Sequence, residues 1–404
     1  MSDRPLDGIR VADFGQFIAG PAVGQILSDF GATVVKVEPL DGEVSRSTGT
    51  SGSAMVRAHN RDKLGLAVDL RHPEGLAIAQ HLIAGSDVVI QNMRPGTMDR
   101  LGLGPETSLE HNSRLVYVSI TAFGRDASPT RPGLDIAAQA ESGMMSVTGE
   151  AGREPQRVGF AVVDAATSYA ATNAVLAALF RRERTGQGAL IDTSLLEVAI
   201  HLQSPNWIDW MRTGVEPSRK GNGQPAVAPA AEVIEVRDGQ IVLSAYAPAH
   251  WQRLCEVLGR QDLATDPRFM TNDARLQHRS EMKSELSAAL NHRTLDQAVE
   301  LLGENGIVAG AIRTYSQVLG SEDVRRLDSF PATKAGAMGS YRHAASPVAI
   351  RGVERETSHS APAIGEHSRR VLGDLGYTEV QIDRFVSAHV VRDGSSSTDA
   401  APEK

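Results

Sequence analysis

The chain has 404 residues, of which 41% are hydrophobic and 22% are charged. This length and composition predict more than one domain with a buried core. The formal net charge of −8 argues against a broad nucleic-acid surface. No uncharged run approaches the roughly 18 apolar residues of a membrane span, and the N-terminus lacks a secretory pattern. We therefore expect a cytoplasmic protein that binds neither nucleic acid nor membrane.

The first part of the chain alternates short β-branched runs with helical stretches. The predicted strands are residues 9–14, 33–37, 66–70, 87–91 and 115–120. This alternation predicts a Rossmann-like α/β domain, in which a parallel sheet carries crossover helices. Residues 165–184 show the clearest helical pattern, with Asp164 directly before it. A strand over 189–193 and a helix over 195–212 should follow.

After the glycine-rich stretch at 221–225 the pattern changes. Residues 231–236 and 240–245 predict a β-hairpin with an Asp238-Gly239 turn, which opens a smaller α+β domain. The predicted organisation is a large Rossmann-like domain beginning with residues 1–212, a linker with the glycine-rich loop over 213–225, the small α+β domain over 226–330, a return to the large domain over 331–393, and a disordered tail over 394–404.

Common phosphate-binding and metal-binding motifs are absent from the sequence. The chain has no G-x-x-x-x-G-K-[ST], no G-x-G-x-x-G after the first strand, no H-E-x-x-H and no G-x-S-x-G. Its one cysteine, Cys255, excludes an intrachain disulfide and a Cys-rich metal site. We therefore expect a nucleotide-fold-like sheet without the fingerprint of a dehydrogenase or kinase, and no metal.

A series of segments between residues 10 and 367 occurs in the order found in one enzyme family. The segments are RVADFGQFIAGPAVGQILSDFGATVVKVE, NRDKLGLAVDL, DVVIQNMRPGTMDRLGL, RLVYVSITAFG, LDIAAQAESGMMSVTG, VGFAVVDAATSYAATNAVLAALFRRERTGQG, GNGQP, ATDPRF and APAIGEH. Together they resemble the family III CoA-transferases, also called the CaiB/BaiF family, which includes the formyl-CoA transferases. The resemblance covers nearly the whole chain.

The resemblance implies an enzyme whose substrates are CoA thioesters and organic acids. It implies an interlocked, ring-like homodimer of two-domain subunits, with neither a metal nor a permanently bound cofactor. In such enzymes an aspartate attacks the acyl-CoA thioester and forms a mixed anhydride. The released CoA thiolate then forms an enzyme–CoA thioester, from which the incoming acid takes CoA through a second anhydride. A small dicarboxylic acid as donor or acceptor is the expectation for this chain.

The resemblance assigns the nucleophile to Asp164. On the residues alone, an aspartate before a helix is most often an N-cap, although a helix N-terminus also favours an ionised carboxylate. The resemblance assigns Gly221, Asn222 and Gly223 to a loop that covers the nucleophile and stabilises acyl intermediates through backbone N–H groups. The alternative for this loop is an ordinary interdomain turn.

The resemblance assigns two segments to CoA binding, and both follow predicted strands, at whose carboxyl ends such sheets bind ligands. The candidate residues are Phe17, Ile18, Ala19, Asn92, Met93, Arg94, Arg100 and Leu101. The alternative for the two arginines is that they are simply solvated.

Two positions depart from known members of the family. Formyl-CoA transferases carry glutamine where Ile18 stands and tyrosine where Leu134 stands, which argues against formyl or oxalyl specificity. The related acyl-CoA racemases place a histidine base at the Leu134 position, and leucine cannot move a proton. The alternatives are therefore an acyl-CoA racemase or isomerase, disfavoured by Leu134, and a noncatalytic CoA-binding subunit.

Overall fold

The computed structural model describes residues 4–126, 131–223, 230–353 and 358–394. The predicted disordered tail, apart from Gly394, and Gln224 and Pro225 of the glycine-rich stretch lie outside the described residues. The chain forms two compact units. The first unit comprises residues 1–143, 158–204 and 328–404, and the second comprises 144–157 and 205–327.

A seven-stranded sheet forms the centre of the first unit. Its strands are β1 (Arg10–Asp13), β2 (Thr33–Glu38), β3 (Leu64–Val68), β4 (Val88–Gln91), β5 (Val116–Thr121), β6 (Ala189–Ser194) and β10 (Val391–Arg392). The order across the sheet is β10-β3-β2-β1-β4-β5-β6, with β10 antiparallel and the other strands parallel. The predicted Rossmann-like α/β fold is confirmed, because β3-β2-β1-β4-β5-β6 is the doubly wound strand order.

Helices connect these strands. They are α1 (Ala19–Asp29), a 3-10 helix (Val44–Ser47), α2 (Gly49–His59), α3 (Pro73–Ala84), α4 (Thr97–Arg100), α5 (Pro105–His111), α6 (Asp135–Glu141), α8 (Val162–Thr185), α9 (Leu195–His201), α18 (Ser368–Asp374) and α19 (Glu379–Ser387). Strands β1, β4 and β5 are buried almost throughout, as expected for parallel strands covered on both faces. The edge strand β6 is half exposed.

The prediction that Asp164 precedes its helix is wrong. Helix α8 begins at Val162, so Asp164 lies inside the first turn. The helix can begin earlier because a side chain from α6 accepts hydrogen bonds from its first N–H groups. By length and composition α8 could also cross a membrane, but 44% of its most apolar window is buried inside the protein, so this is weak evidence for a span.

The second unit is built on a three-stranded antiparallel sheet. Its strands are β7 (Ala230–Val236), β8 (Gly239–Ala245) and β9 (Val308–Ala311). Its helices are α7 (Met144–Val147), α10 (Ser204–Thr213), α11 (Pro248–Val257), α12 (Gln261–Thr265), α13 (Asn272–Gln277), α14 (Arg279–Leu290), α15 (Leu295–Glu304), α16 (Tyr315–Gly320) and α17 (Glu322–Arg326). Val236 pairs with Gly239, so the hairpin turn falls at Arg237-Asp238, one residue earlier than predicted. Cys255 is buried in the core of this unit.

The predicted helix over 195–212 is two helices, α9 and α10. Pro205 has no N–H to donate to the carbonyl of His201, so the α-helical pattern cannot continue there. The hydroxyl of Ser204 donates to that carbonyl instead. The second unit also takes residues 144–157, which the sequence pattern had placed with the large domain. The reason is that Gly149 O accepts a hydrogen bond from Gly221 N, which ties this segment to the glycine-rich loop.

Candidate functional site

The sheet has a topological switch point between β1 and β4. Strand β1 pairs with β2 on one side and with β4 on the other, so the connections diverge at this position. Open α/β sheets bind ligands in the crevice outside the carboxyl ends of such strands. The segment Phe17–Ala19 follows β1 and the segment Asn92–Met93 follows β4. The structure thus brings these two groups of CoA-binding candidates together.

Asn92 joins the two strand ends directly. Its Nδ2 donates to the carbonyl of Gln16 at 2.9 Å, and its Oδ1 accepts from the N–H of Gln16 at 2.7 Å. The next residue, Phe17, has a φ of 62°, a left-handed conformation that is strained for a bulky side chain. Gly20 packs so closely on this turn that a Cβ would lie 2.9 Å from the Cα of Gly15. Asn92 therefore fixes the backbone that presents Phe17.

A buried charge network lies beneath this turn. Lys63 Nζ donates to Asp13 Oδ2 at 2.7 Å and to the carbonyl of Pro21 at 2.8 Å, while Asp13 Oδ1 accepts from the N–H of Gly15 at 2.8 Å. Lys36 donates to the carbonyl of Gly15. The Asp13 and Lys63 side chains are completely buried. Burial lowers the pKa of Lys63 to about 8, against the opposing effect of Asp13. The charged side chains of Asp13, Lys36 and Lys63 thus hold the turn at Gly15 and at Pro21.

The remaining CoA-binding candidates follow β4. Arg94 and Arg100 are exposed, and neither has an ion-pair partner among the described residues. The guanidinium of Arg100 donates to Thr97 Oγ1 at 3.1 Å. Two cations near the switch point are thus available for an anionic ligand. Met93 and Leu101 are partly buried against the core cluster of the first unit, so each has a packing role of its own.

Asp164 lies beside a second carboxylate, Asp135 of α6. Asp135 Oδ1 accepts from the backbone N–H groups of Val163 at 2.7 Å and of Asp164 at 3.1 Å. Its other oxygen accepts from Gln139 Nε2 at 2.5 Å. Asp135 is buried, whereas Asp164 is partly exposed. The buried carboxylate therefore occupies the N–H groups at the start of α8 and leaves the Asp164 side chain free to react.

Burial and the neighbouring Asp135 charge raise the pKa of Asp164 to about 7. The helix N-terminus was expected to favour the ionised form of Asp164, but burial and the Asp135 charge shift its pKa in the opposite direction and more strongly. Desolvation disfavours a carboxylate, and a like charge nearby adds to the shift. A carboxylate with a raised pKa is more basic and hence a stronger nucleophile than an ordinary aspartate, and near neutral pH about half of it is ionised.

The sequence argument did not single out Asp135. A signal was present, because Asp135 and Gln139 are four residues apart, the spacing at which helical side chains meet. Leu134, directly before Asp135, is 59% exposed and has no group that can transfer a proton.

The glycine-rich loop belongs to the second unit. The N–H of Gly221 donates to Gly149 O at 2.9 Å, and Gly221 has a φ of 62°, which suits glycine. The N–H groups of Asn222 and Gly223 have no partner within the described part of the chain. Two backbone donors of this loop are thus available to a ligand, whereas the third, from Gly221, is already used.

Comparisons with known proteins place this site in a family. The model of CoA-transferase family III matches residues 6–368. This chain belongs to CoA-transferase family III. It is similar to a probable fatty acyl-CoA transferase of Mycobacterium tuberculosis (36% identity, covering 78% of this chain and 84% of the relative). It is also similar to the succinyl-CoA–D-citramalate CoA-transferase of Chloroflexus aurantiacus (33% identity, covering 96% and 98%).

A solved structure supports the same conclusion. The crystal structure of a CaiB/BaiF family protein from Brucella suis superposes with a TM-score of 0.83 at 31% identity, covering 92% of this chain and 99% of that one. The chain is therefore an enzyme of the transferase class that moves coenzyme A, with CoA thioesters as substrates.

The carboxylate pair predicts the pH dependence of this family III CoA-transferase. If Asp164 is the attacking carboxylate, as the resemblance implies, the activity should rise with pH through about 7, because the attack would require its ionised form. Asp135→Asn keeps an oxygen for the helix N–H groups and removes the like charge. It should lower the midpoint of the kcat/KM profile by roughly one unit and reduce the plateau rate.

The matched control for this experiment is Glu141→Gln. Glu141 lies on the same helix, α6, but is exposed and pairs with Arg131. This control should leave the midpoint unchanged. A midpoint that stays the same in Asp135→Asn would contradict the electrostatic role of Asp135.

Proposed function

We propose that the chain is a cytoplasmic CoA-transferase in which Asp164 is the covalent nucleophile. The Asp164 carboxylate attacks the thioester carbon of the donor acyl-CoA, and the C–S bond breaks to give a mixed anhydride and CoA thiolate. The thiolate attacks the aspartyl carbonyl of this anhydride and releases the donor acid. The acceptor carboxylate then attacks the enzyme–CoA thioester, and the thiolate finally takes the new acyl group. Asp164 is regenerated as a carboxylate.

The observation that carries this proposal is the contact between Asp135 and the first turn of α8. Burial first, and then the Asp135 charge, raise the pKa of Asp164 to about 7, while Asp135 rather than Asp164 accepts from the helix N–H groups. A purely structural aspartate at a helix start would instead use its own side chain to cap the N–H groups.

The other parts of the site have matching roles in this proposal. The turn at Phe17–Ala19 and the segment at Asn92–Met93 line the CoA arm at the switch point. Arg94 and Arg100 pair with its phosphates. As the resemblance implies, the N–H groups of Asn222 and Gly223 stabilise the acyl intermediates in this proposal, as fixed backbone donors do in acyl transfer.

For the substrates, we propose a small dicarboxylic acid as donor or acceptor. The support is the name of the Chloroflexus relative, which transfers CoA from succinyl-CoA to D-citramalate. The name of the Mycobacterium relative points instead to fatty acyl groups. Free acids of both kinds, offered with succinyl-CoA and followed by mass spectrometry of new thioesters, distinguish the two. Because succinyl-CoA is itself the thioester of a dicarboxylic acid, the same acids are also offered with acetyl-CoA. The dicarboxylate proposal is contradicted if succinyl-CoA donates to no acid and no dicarboxylic acid accepts CoA from acetyl-CoA.

We further propose that a second copy of the chain covers exposed apolar side chains, in the interlocked homodimer that the family resemblance implies. On α8, Tyr169 and Phe180 point outward, with Phe180 68% exposed. Helix α10 has an apolar side but buries no residue, and its Met211 is 72% exposed. Apolar surfaces of this kind mark interaction sites.

The dimer proposal is tested by dilution. Interlocked rings cannot separate without unfolding, so sedimentation should show only dimer down to submicromolar protein. A reversible equilibrium between folded monomer and dimer in that range would contradict interlocking.

Trapping the intermediate tests the nucleophile directly. The protein is incubated with succinyl-CoA alone, quenched with hydroxylamine and digested for mass spectrometry. The expected product is a hydroxamate on Asp164, since hydroxylamine attacks an activated aspartyl carbonyl. Asp164→Asn should show no adduct and less than about one thousandth of the wild-type transfer rate.

The same samples identify the two alternatives. An unmodified Asp164, together with deuterium from solvent at the α-carbon of the recovered acyl-CoA, would show a racemase. CoA binding with neither change would show a noncatalytic subunit. Either result would overturn the proposal.

A further inference from the structure

Arg279, the first residue of α14, has a buried carboxylate on one side of its guanidinium. Its Nε donates to Glu232 Oε2 at 2.6 Å, and Glu232 lies on β7 with its side chain only 6% exposed. A carboxylate this deeply buried is costly unless it is paired, so the contact with Glu232 fixes where the guanidinium lies.

The other side of the same guanidinium meets the glycine-rich loop. Arg279 Nη1 donates to the carbonyl of Lys220 at 2.9 Å. A Cβ on Gly223 would lie only 2.3 Å from Nη2, although the φ of Gly223 lies outside the left-handed region. A side chain at position 223 would therefore have to displace the guanidinium of Arg279.

The residues before Asn222 in the loop are also held by hydrogen bonds. The N–H of Gly221 donates to Gly149 O, and Arg219 donates to the carbonyls of Glu150 and Arg153, at 3.2 and 2.8 Å. The backbone on the N-terminal side of Asn222 is thus anchored to residues 149–153. After Asn222, the guanidinium of Arg279 packs against Gly223.

The ATDPRF segment is packed into the same unit, a few residues before Arg279. Asp266 accepts from the backbone and side chain of Arg268, and Phe269 is completely buried in the core of the second unit. Arg275 of α13 donates to the carbonyl of Phe269, and α14 begins at Arg279, directly after His278. None of its residues has a catalytic or binding role in the proposed function.

We infer that Arg279 is a positioning residue that sets the glycine-rich loop for catalysis. Its planar guanidinium links the buried Glu232 to the carbonyl of Lys220 and packs against Gly223. These contacts fix the direction of the N–H groups of Asn222 and Gly223. The inference rests on the proposed function, in which these groups stabilise the acyl intermediates. The resemblance implies that this loop covers the nucleophile, so a misplaced loop should admit water to the enzyme–CoA thioester.

Arg279→Lys is the first test, because lysine keeps the charge beside Glu232 but lacks the planar fork. The kcat of transfer should fall by about tenfold or more, since oxyanion donors act mainly in the transition state, and the KM for acyl-CoA should change less than about twofold. The fraction of succinyl-CoA lost to hydrolysis should rise, with water replacing the acceptor acid and giving free CoA and succinate.

A matched control is available in the same unit. Arg253 of α11 also bridges two side chains, donating to Glu256 and Asn305 at 2.8 Å each. Arg253→Lys should leave the kcat and the hydrolysed fraction unchanged. If Arg279→Lys does not fold, Glu232→Gln provides the same test, because it weakens the other anchor of the guanidinium and should change kcat and hydrolysis in the same direction.

A double-mutant cycle tests the contact with Gly223. Gly223→Ala alone should lower kcat by about tenfold, because the added Cβ collides with the guanidinium. In the Arg279→Lys background this collision is gone, so the double variant should resemble the slower single variant. Independent sites would instead give the product of the two effects, about a hundredfold loss.

Two results would overturn the inference: wild-type kcat and hydrolysis in Arg279→Lys, or purely multiplicative effects in the cycle. The proposed function fails separately, if wild-type protein forms no adduct on Asp164. An adduct on Asp164 combined with unaffected Arg279 variants would remove only the role of Arg279.

Discussion

The buried carboxylate of Asp135 accepts the first N–H groups of α8, and the chemistry proposed for Asp164 depends on that contact. It lets the helix begin at Val162 and satisfies donors that would otherwise be left without partners. It also places a negative charge beside Asp164. This contact thus starts the helix and, together with burial, raises the pKa of Asp164, the proposed nucleophile.

At the carboxyl ends of β1 and β4, the proposed CoA site, buried polar contacts likewise fix the backbone. Asp13 and Lys63 hold the turn after β1 from below, and Asn92 joins it to the end of β4. Buried groups of this kind are costly when a partner is lost, so they specify one conformation. The strained φ of Phe17 is consistent with a turn that its surroundings hold in place.

The sequence predicted those parts of the fold that local pattern determines. Buried parallel strands are continuous β-branched runs, so β1 to β6 were recognisable, whereas β10 has only two residues and forms through its pairing with β3. The break between α9 and α10 was missed although Pro205 marks it. Asp135 could not be assigned to the nucleophile from local pattern, because its partner N–H groups are 28 and 29 residues away. The roles of Asp164 and of the glycine-rich loop came from the family resemblance.

The central claim is that the Asp164 carboxyl is still largely protonated below neutral pH, and infrared spectroscopy measures this directly. The difference spectrum between wild type and Asp164→Asn isolates the C=O stretch of the protonated Asp164 acid, which can be followed from pH 4 to 9 in the absence of substrate. The structure predicts that this band disappears with a midpoint near pH 7. Loss of the band by about pH 5, as for an ordinary aspartate, would contradict the account.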